Sequence, residues 1–183
     1  MNISKQVVEQ LKNLAAGEPR QAETFILNSV QQPGYIVGVP TEVDGLNIIL
    51  TLEDYDRYSA RLQTLEVSDH SFSADGQNIE DYLRRCAGSI TDRLTYLEEP
   101  LTILEFDAGE NTAQLRSEPA HQGEDEVIYW EALLSARPGL RAKLTRYRWT
   151  PHHPHREVLA YPATFETLGR LAQDIALSLR FTL

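Results

Sequence analysis

The sequence predicts an α+β fold in which an antiparallel β-meander of six to nine strands packs with N-terminal, central and C-terminal helices. Three observations predict it. Apolar residues recur at helical spacing near both ends and in the middle of the chain. Apolar and polar residues alternate in several segments between them, and short turns rich in glycine and proline separate those segments. The 183 residues suit one domain, 1–183, because a chain of this length buries about 70% of its unfolded surface.

Residues 1–32 are predicted to form a pair of helices. The apolar residues of the first helix recur every three or four positions, and Gly17 with Pro19 ends it. Pro19 can open a second helix because its fixed φ suits the first helical position. The apolar residues on the two predicted faces are Ile3, Val7, Leu11, Leu14 and Ala15, then Ala22, Phe25, Ile26 and Val30.

Residues 35–67 are predicted to form a first group of strands. Apolar residues occupy every second position from Leu46 to Leu52, and Val43-Asp44-Gly45 supplies a turn before them, since glycine accepts positive φ. Two interpretations of 55–67 remain open. Its tyrosines and leucines fit a helical face, but we favour a third strand of the meander.

The remaining chain is predicted to hold a central helix, a second strand group and a C-terminal helix. Asn78 is the expected N-cap of the helix at 78–90, and Thr164 that of the helix at 164–180. Both helices have a continuous apolar stripe. The strand group spans 93–161, with strand-like runs at 93–98, 101–107, 112–117, 126–134, 140–149 and 156–161.

Composition favours a cytoplasmic protein. The chain has a formal net charge of −10 and a calculated pI of about 4.9, which argues against general affinity for nucleic acid. A single cysteine, Cys86, excludes an internal disulfide and fits a reducing compartment. No signal-peptide pattern begins the chain, and no apolar run approaches the roughly 20 residues that a membrane span needs.

One segment opposes this acidity. Residues 137–156 contain six basic side chains and three histidines but no carboxylate. Arginine beside tyrosine and tryptophan is typical of protein-binding hot spots and of surfaces that stack single-stranded bases. The candidate partner-binding residues are therefore Arg141, Arg146, Tyr147, Arg148 and Trp149.

Charges on the preceding strand offer an internal explanation for the same segment. If Ala132 pairs with Ala142, Glu131 faces Lys143 and Glu126 faces Arg148. Opposite charges paired across strands stabilise a sheet by roughly 0.2–1 kcal/mol each. This register leaves Arg141, Arg146 and Arg156 without an obvious carboxylate partner.

His152, His153 and His155 form the one cluster of metal-ligand residue types. Neutral imidazole binds zinc, nickel or copper, but this spacing matches no standard metal site, and the flanking prolines predict an exposed turn. Cys86 falls on the apolar stripe of the central helix, which predicts a buried thiol. Ser68-Asp69-His70-Ser71 contains the residue types of a catalytic triad, but it lacks the constrained turn that presents such a nucleophile. We assign no catalytic residue and expect no cofactor.

A non-enzymatic interaction or adaptor module is the function we favour from the sequence. We expect its partner to be another protein or a second copy, in a dimer, because an open meander leaves an edge that a two-fold interface protects. The order of elements loosely resembles that of the small acidic chaperones that escort secreted effectors, a likeness of fold alone. The alternatives are a small-ligand or metal-dependent enzyme with a pocket near the His152–His155 turn, and a single-stranded nucleic-acid binder using the basic strand 140–149.

Overall fold

The computed structural model describes residues 2–17, 21–27, 30–73 and 78–180. Three helices form within them, each begun by a side chain that accepts a backbone N–H bond in the first turn. The capping residues are Asn2, Asn78 and Thr164. The helices are α1 (Ile3–Ala16), α2 (Ile79–Arg93) and α3 (Phe165–Leu179).

The strands of the described residues form one antiparallel sheet, which confirms the predicted α+β class. The strands are β1 (Glu23–Leu27), β2 (Val30–Val39), β3 (Leu46–Tyr55), β4 (Ser59–Asp69), β5 (Leu101–Asp107), β6 (Thr112–Ser117), β7 (His121–Gln122), β8 (Val127–Ser135), β9 (Leu140–Trp149), β10 (Glu157–Val158) and β11 (Tyr161–Thr164). Eight of them follow the main path in the order β1-β2-β3-β4-β9-β8-β6-β5. Three short strands pair beside this path, β10 with β9, β11 with β4 and β7 with β8.

The sheet consists of two meanders that meet at their last strands. β1 to β4 form the first, β5, β6, β8 and β9 form the second, and β4 pairs with β9 at the centre. α2 connects the meanders and packs over β5, β6 and β8, whereas α3 lies over β4, β9 and β11. α1 packs on α3 and reaches β2. The first and last strands of the path, β1 and β5, are therefore the two edges of the sheet.

Strand register separates the covered face of the sheet from its open face. One row across five strands is Leu50, Leu65, Leu144, Ala132 and Leu115, and all five belong to the core that the helices cover. The adjacent row is Thr51, Thr64, Thr145, Glu131 and Arg116, whose side chains point to the opposite face because the side-chain period of a strand is two.

A tight corner joins the first meander to the end of α3. Gly45 has φ +74°, and a Cβ there would lie 2.7–2.8 Å from atoms of Ser71. Arg180, just after α3, donates to the Asp69 carboxylate, to the Ser71 hydroxyl and to the Asp44 carbonyl. The corner therefore requires glycine and an arginine clamp together.

The structure corrects or completes the secondary-structure predictions for four segments. The second helix of 1–32 is wrong, because Glu23–Leu27 is a strand that pairs with β2; Pro19 lies outside the described residues. The run at 93–98 is not a strand, since α2 extends to Arg93 and turns follow it. The segment 55–67 is extended, as we favoured, with a turn at 56–58. The run at 156–161 is divided between β10 and β11.

The second helix predicted in residues 1–32 was wrong because the residues of β1 fit two local patterns. Thr24, Phe25 and Ile26 are β-branched or aromatic and favour a strand, but the spacing of Ala22, Phe25, Ile26 and Val30 also fits a short helix. Pairing with β2 then decides the conformation, which is information from outside the segment. No helix among the described residues has the length and apolarity to cross a membrane.

Candidate protein-interaction surface

The basic strand β9 finds its carboxylates within the molecule. Arg146 Nη2 lies 2.6 Å from Glu99 Oε1 and 2.9 Å from Glu98 Oε2. Arg148 Nη2 lies 2.8 Å from Glu157 Oε2 on β10, and Arg141 Nη1 lies 3.7 Å from Glu66 Oε1 on β4. Phosphate contacts made by these arginines would compete with ion pairs that already exist.

The register between β8 and β9 differs from the predicted one by two residues. Ala132 pairs with Leu144 and Glu131 with Thr145, so the predicted pairs Glu131–Lys143 and Glu126–Arg148 are wrong. The connection occupies residues 136–140, because Ser135 already pairs with Arg141. A shift of two leaves every side chain on its predicted face but changes every opposite neighbour.

The expectation that Arg141, Arg146 and Arg156 lack partners is also wrong. Each has a carboxylate, and those carboxylates come from three places: β4, the turn after α2 and β8. Long-range pairs of this kind depend on the complete sheet order. Alternation within a single hairpin could not reveal them.

Glu131 is the centre of a cluster of charged and polar side chains on the open face. It is 7% exposed, and Gln114 and Arg116 donate to its Oε2 at 2.6 and 3.0 Å. Arg156 donates from both terminal nitrogens, at 2.6 Å to Oε2 and 2.9 Å to Oε1, and its guanidinium stacks 3.9 Å from the Tyr147 ring centre. Burial raises the pKa of Glu131, but the bonds and charges of the two arginines outweigh it and hold the net pKa below its usual value.

Arg146 lies inside the fold rather than on a binding surface. Its side chain is 11% exposed, and its guanidinium lies near the rings of Trp130 and Tyr161. Tyr147 is likewise buried, beneath Arg156. Of the five predicted partner-binding residues, Arg141, Arg148 and Trp149 retain the more accessible side chains.

The three histidines lie on the exposed turn between β9 and β10. Among the residues that the structure describes, no group of three or more histidine, cysteine, aspartate or glutamate side chains is placed to hold a metal ion. His152, His153 and His155 therefore lie on an exposed turn, as predicted, and in the described part of the chain they do not belong to such a group.

The remaining candidates from the sequence are the segment 68–71 and Cys86. Ser68 Oγ and His70 Nε2 are 3.4 Å apart, but the Asp69 carboxylate binds Arg180 and Ser71 instead of the imidazole. Cys86 is fully buried in the core, and burial raises the pKa of its thiol to about 12. A thiol with that pKa is protonated at neutral pH and is a poor nucleophile.

The sheet edges hold exposed apolar side chains that the sequence interpretation missed. Ile26 on β1 is 70% exposed, and Leu104 and Ile103 on β5 are 53% and 40% exposed. β5 contains a register shift between Ile103 and Glu105, so Leu104 is an additional, bulged residue. Within Leu101 to Leu104, the consecutive apolar residues Ile103 and Leu104 interrupt the alternation of apolar and polar residues. This interruption is the feature of the sequence that could have indicated the bulge. Nothing in the local sequence identifies β1 and β5 as edges.

The two edges differ in charge. β1 contains one charged residue, Glu23, at its first position. β5 contains Glu105 and Asp107 and no basic residue. Both are exposed.

A cavity of about 340 Å³ adjoins the end of β5. Ile79 and Leu83 of α2 and Phe106 of β5 provide apolar walls, and Glu80 and Asp107 add carboxylates. Its volume is within the usual range of ligand pockets.

Comparisons with known proteins give no identity. No protein-family model, no curated protein and no solved structure matches the chain. A function must therefore be argued from the residues and the geometry described above.

Proposed function

We propose that this chain is a non-enzymatic protein-interaction or adaptor module that binds through the edges of its sheet and self-associates. The observation that supports the proposal is the position of Ile26, Ile103 and Leu104. These exposed apolar side chains lie on β1 and β5, the two strands that end the main path of the sheet among the described residues. Holding an extended segment of another protein at such an edge would be a chaperone-like activity.

An edge strand offers both parts of an interface. Its outer N–H and C=O groups are available to an added strand, which supplies directional affinity, and exposed apolar side chains supply burial. Fully burying a leucine or isoleucine side chain contributes about 1.5–3 kcal/mol. The exposed apolar side chains of one edge therefore offset part of the cost of association, which is about 4–15 kcal/mol, and the backbone hydrogen bonds of the added strand must supply the rest.

The β1 edge suits a second copy of the chain. In an antiparallel pair centred on Phe25, Glu23 of each copy lies opposite Leu27 of the other, so the two carboxylates are at opposite ends of the interface. No like charges meet, and Ile26 of both copies lies near the two-fold axis. A closed dimer of this type also removes one unprotected edge.

Sedimentation velocity of the Ile26→Lys variant tests this assignment. We expect the wild-type protein to dimerise with rising concentration and Ile26→Lys to remain monomeric, since two lysines would meet near the axis. Leu133→Lys is the control, because Leu133 is also an exposed apolar side chain, at 43% against 70% for Ile26, but lies on β8, which is paired on both sides. A monomeric wild-type protein at all concentrations, or equal loss in both variants, would refute self-association through β1.

A further inference from the structure

The β5 edge differs from the β1 edge in that its charge opposes self-pairing. Two strands related by a two-fold axis place one residue opposite its own copy, because paired side chains share a face. With the axis at Leu104, the two copies of Glu105 become diagonal neighbours about 7–8 Å apart. Asp107 lies two positions further along in each copy, so the two Asp107 carboxylates add negative charge at the two ends of the interface.

Arg84, the basic residue that stacks beside β5, is paired with a carboxylate of its own helix. Arg84 on α2 stacks over the Phe106 ring, with its guanidinium carbon 4.1 Å from the ring centre. Its Nη2 is 2.6 Å from Glu80 Oε1, so this arginine already has a carboxylate. Asp107 Oδ1 accepts backbone N–H bonds from Gly109 and Glu110, which fix the carboxylate beside the end of the strand.

The cavity beside β5 fits a long cationic side chain. Its walls are apolar where Ile79, Leu83 and Phe106 meet, and Glu80 and Asp107 contribute the carboxylates. Lysine and arginine have an aliphatic stem that packs on apolar surface and a charged end that remains near carboxylates or water. An uncharged apolar side chain would use the walls but would gain nothing from the negative charge of Asp107.

We propose that the β5 edge, with this cavity, binds an extended segment of a partner protein in which apolar residues alternate with lysine or arginine. The segment adds a strand next to β5, its apolar side chains cover Ile103 and Leu104, and its cations meet Glu105 and Asp107. This inference rests on the proposed function and specifies the chemistry of the partner.

The test measures binding of fluorescein-labelled ten-residue peptides by fluorescence anisotropy. A peptide of alternating valine and lysine is the probe, and peptides of alternating valine with glutamate or serine are its comparisons. The protein is the full chain and its Ile26→Lys variant, so that self-association and peptide binding are observed separately. We expect the valine–lysine peptide to bind at least tenfold more tightly than the other two, with affinity falling as salt rises.

Two variants locate the interaction. Glu105→Lys should weaken binding of the valine–lysine peptide at least tenfold, and Leu104→Lys should weaken it similarly. Glu9→Lys on the exposed face of α1 makes the same change in net charge far from β5 and should alter affinity less than twofold. Thermal unfolding of each variant establishes that it folds, and amide chemical shifts should change along β5 on addition of peptide.

Each contrary result has a separate meaning. Equal effects of Glu105→Lys and Glu9→Lys would overturn the site, because general charge attraction would then explain binding. Equal affinity for all three peptides would overturn the assigned partner chemistry, and a wild-type dimer that Leu104→Lys abolishes would assign β5 to a second copy. Failure of every peptide while Ile26-dependent dimerisation persists overturns this inference alone. Failure of both binding and dimerisation also removes the proposed function.

Discussion

Replacing Glu131 with glutamine removes the one carboxylate that Gln114, Arg116 and Arg156 share on the open face. Glutamine keeps one oxygen acceptor but directs an NH₂ group toward guanidinium donors. Breaking a buried ion pair from one side costs about 3–5 kcal/mol. The two arginine side chains are 39% and 30% exposed, so water partly replaces the lost carboxylate. We therefore expect a loss of about 2–3 kcal/mol in the free energy of unfolding at pH 7.

The effect should depend on pH in a defined direction. The pKa of Glu131 is lowered in the folded protein, because its hydrogen bonds and arginine charges outweigh the opposing effect of burial. An unfolded glutamate titrates near about 4.3. Its stabilising contribution is complete above that pH and is lost as pH falls through the lower pKa of the folded state. The difference between wild type and Glu131→Gln should hence be constant from neutral pH to about 6 and shrink below about 4.

Urea unfolding followed by circular dichroism measures both quantities. Glu53→Gln is the control, because Glu53 pairs with Arg61 and both side chains are well exposed. A surface pair of this kind contributes about 0–1 kcal/mol. An effect of Glu131→Gln that equals the Glu53→Gln effect, or that grows on acidification, would refute the view that a shared buried carboxylate organises this face.

Three further results are expected from local geometry. Native Cys86 should react with a thiol reagent at pH 8 at least about a hundredfold more slowly than the unfolded chain, since burial raises its pKa to about 12; fast native labelling would contradict this. Gly45→Ala should destabilise the fold by about 2 kcal/mol or more in chemical denaturation, because its φ is positive and space for a Cβ is lacking, whereas Gly38→Ala, with open space, should change stability by less than about 1 kcal/mol. Arg146→Ala should destabilise by about 3 kcal/mol, and clearly more than Arg148→Ala, whose ion pair is half-exposed; equal losses would show that burial of the Arg146 pairs is unimportant.

Local patterns predicted the helices of the covered face well. α1, α2 and α3 each combine a continuous apolar stripe with a side-chain cap, and both signals lie within about fifteen consecutive residues. Strands β3, β6 and β9 likewise alternate over their own length. A segment whose buried face and ends are marked in its own residues can be recognised without its neighbours.

β1 and β5 show what local patterns cannot supply. The five residues of β1 are too few to distinguish a helix from a strand by period, and pairing with β2 decides between them. The bulge at Leu104 similarly depends on β6, against which the register shifts. Recognition of either strand as an edge requires the order of the whole sheet. The candidate interaction surface was therefore missed, although its apolar residues are visible in the sequence.

In β9, one feature determines which face of the sheet a charged side chain occupies, and another determines which carboxylate it contacts. Alternation along β9 places Arg141 and Lys143 on the open face whichever even register the hairpin adopts. Their partners, however, follow from the register and from strands distant in sequence. Because the pairing of β8 with β9 is shifted by two residues from the predicted register, Glu131 lies opposite Thr145 instead of Lys143 and is bound by Arg116 and Arg156. The positive charges of 137–156 are thus matched by carboxylates that β4, β8, β10 and the turn after α2 place around them.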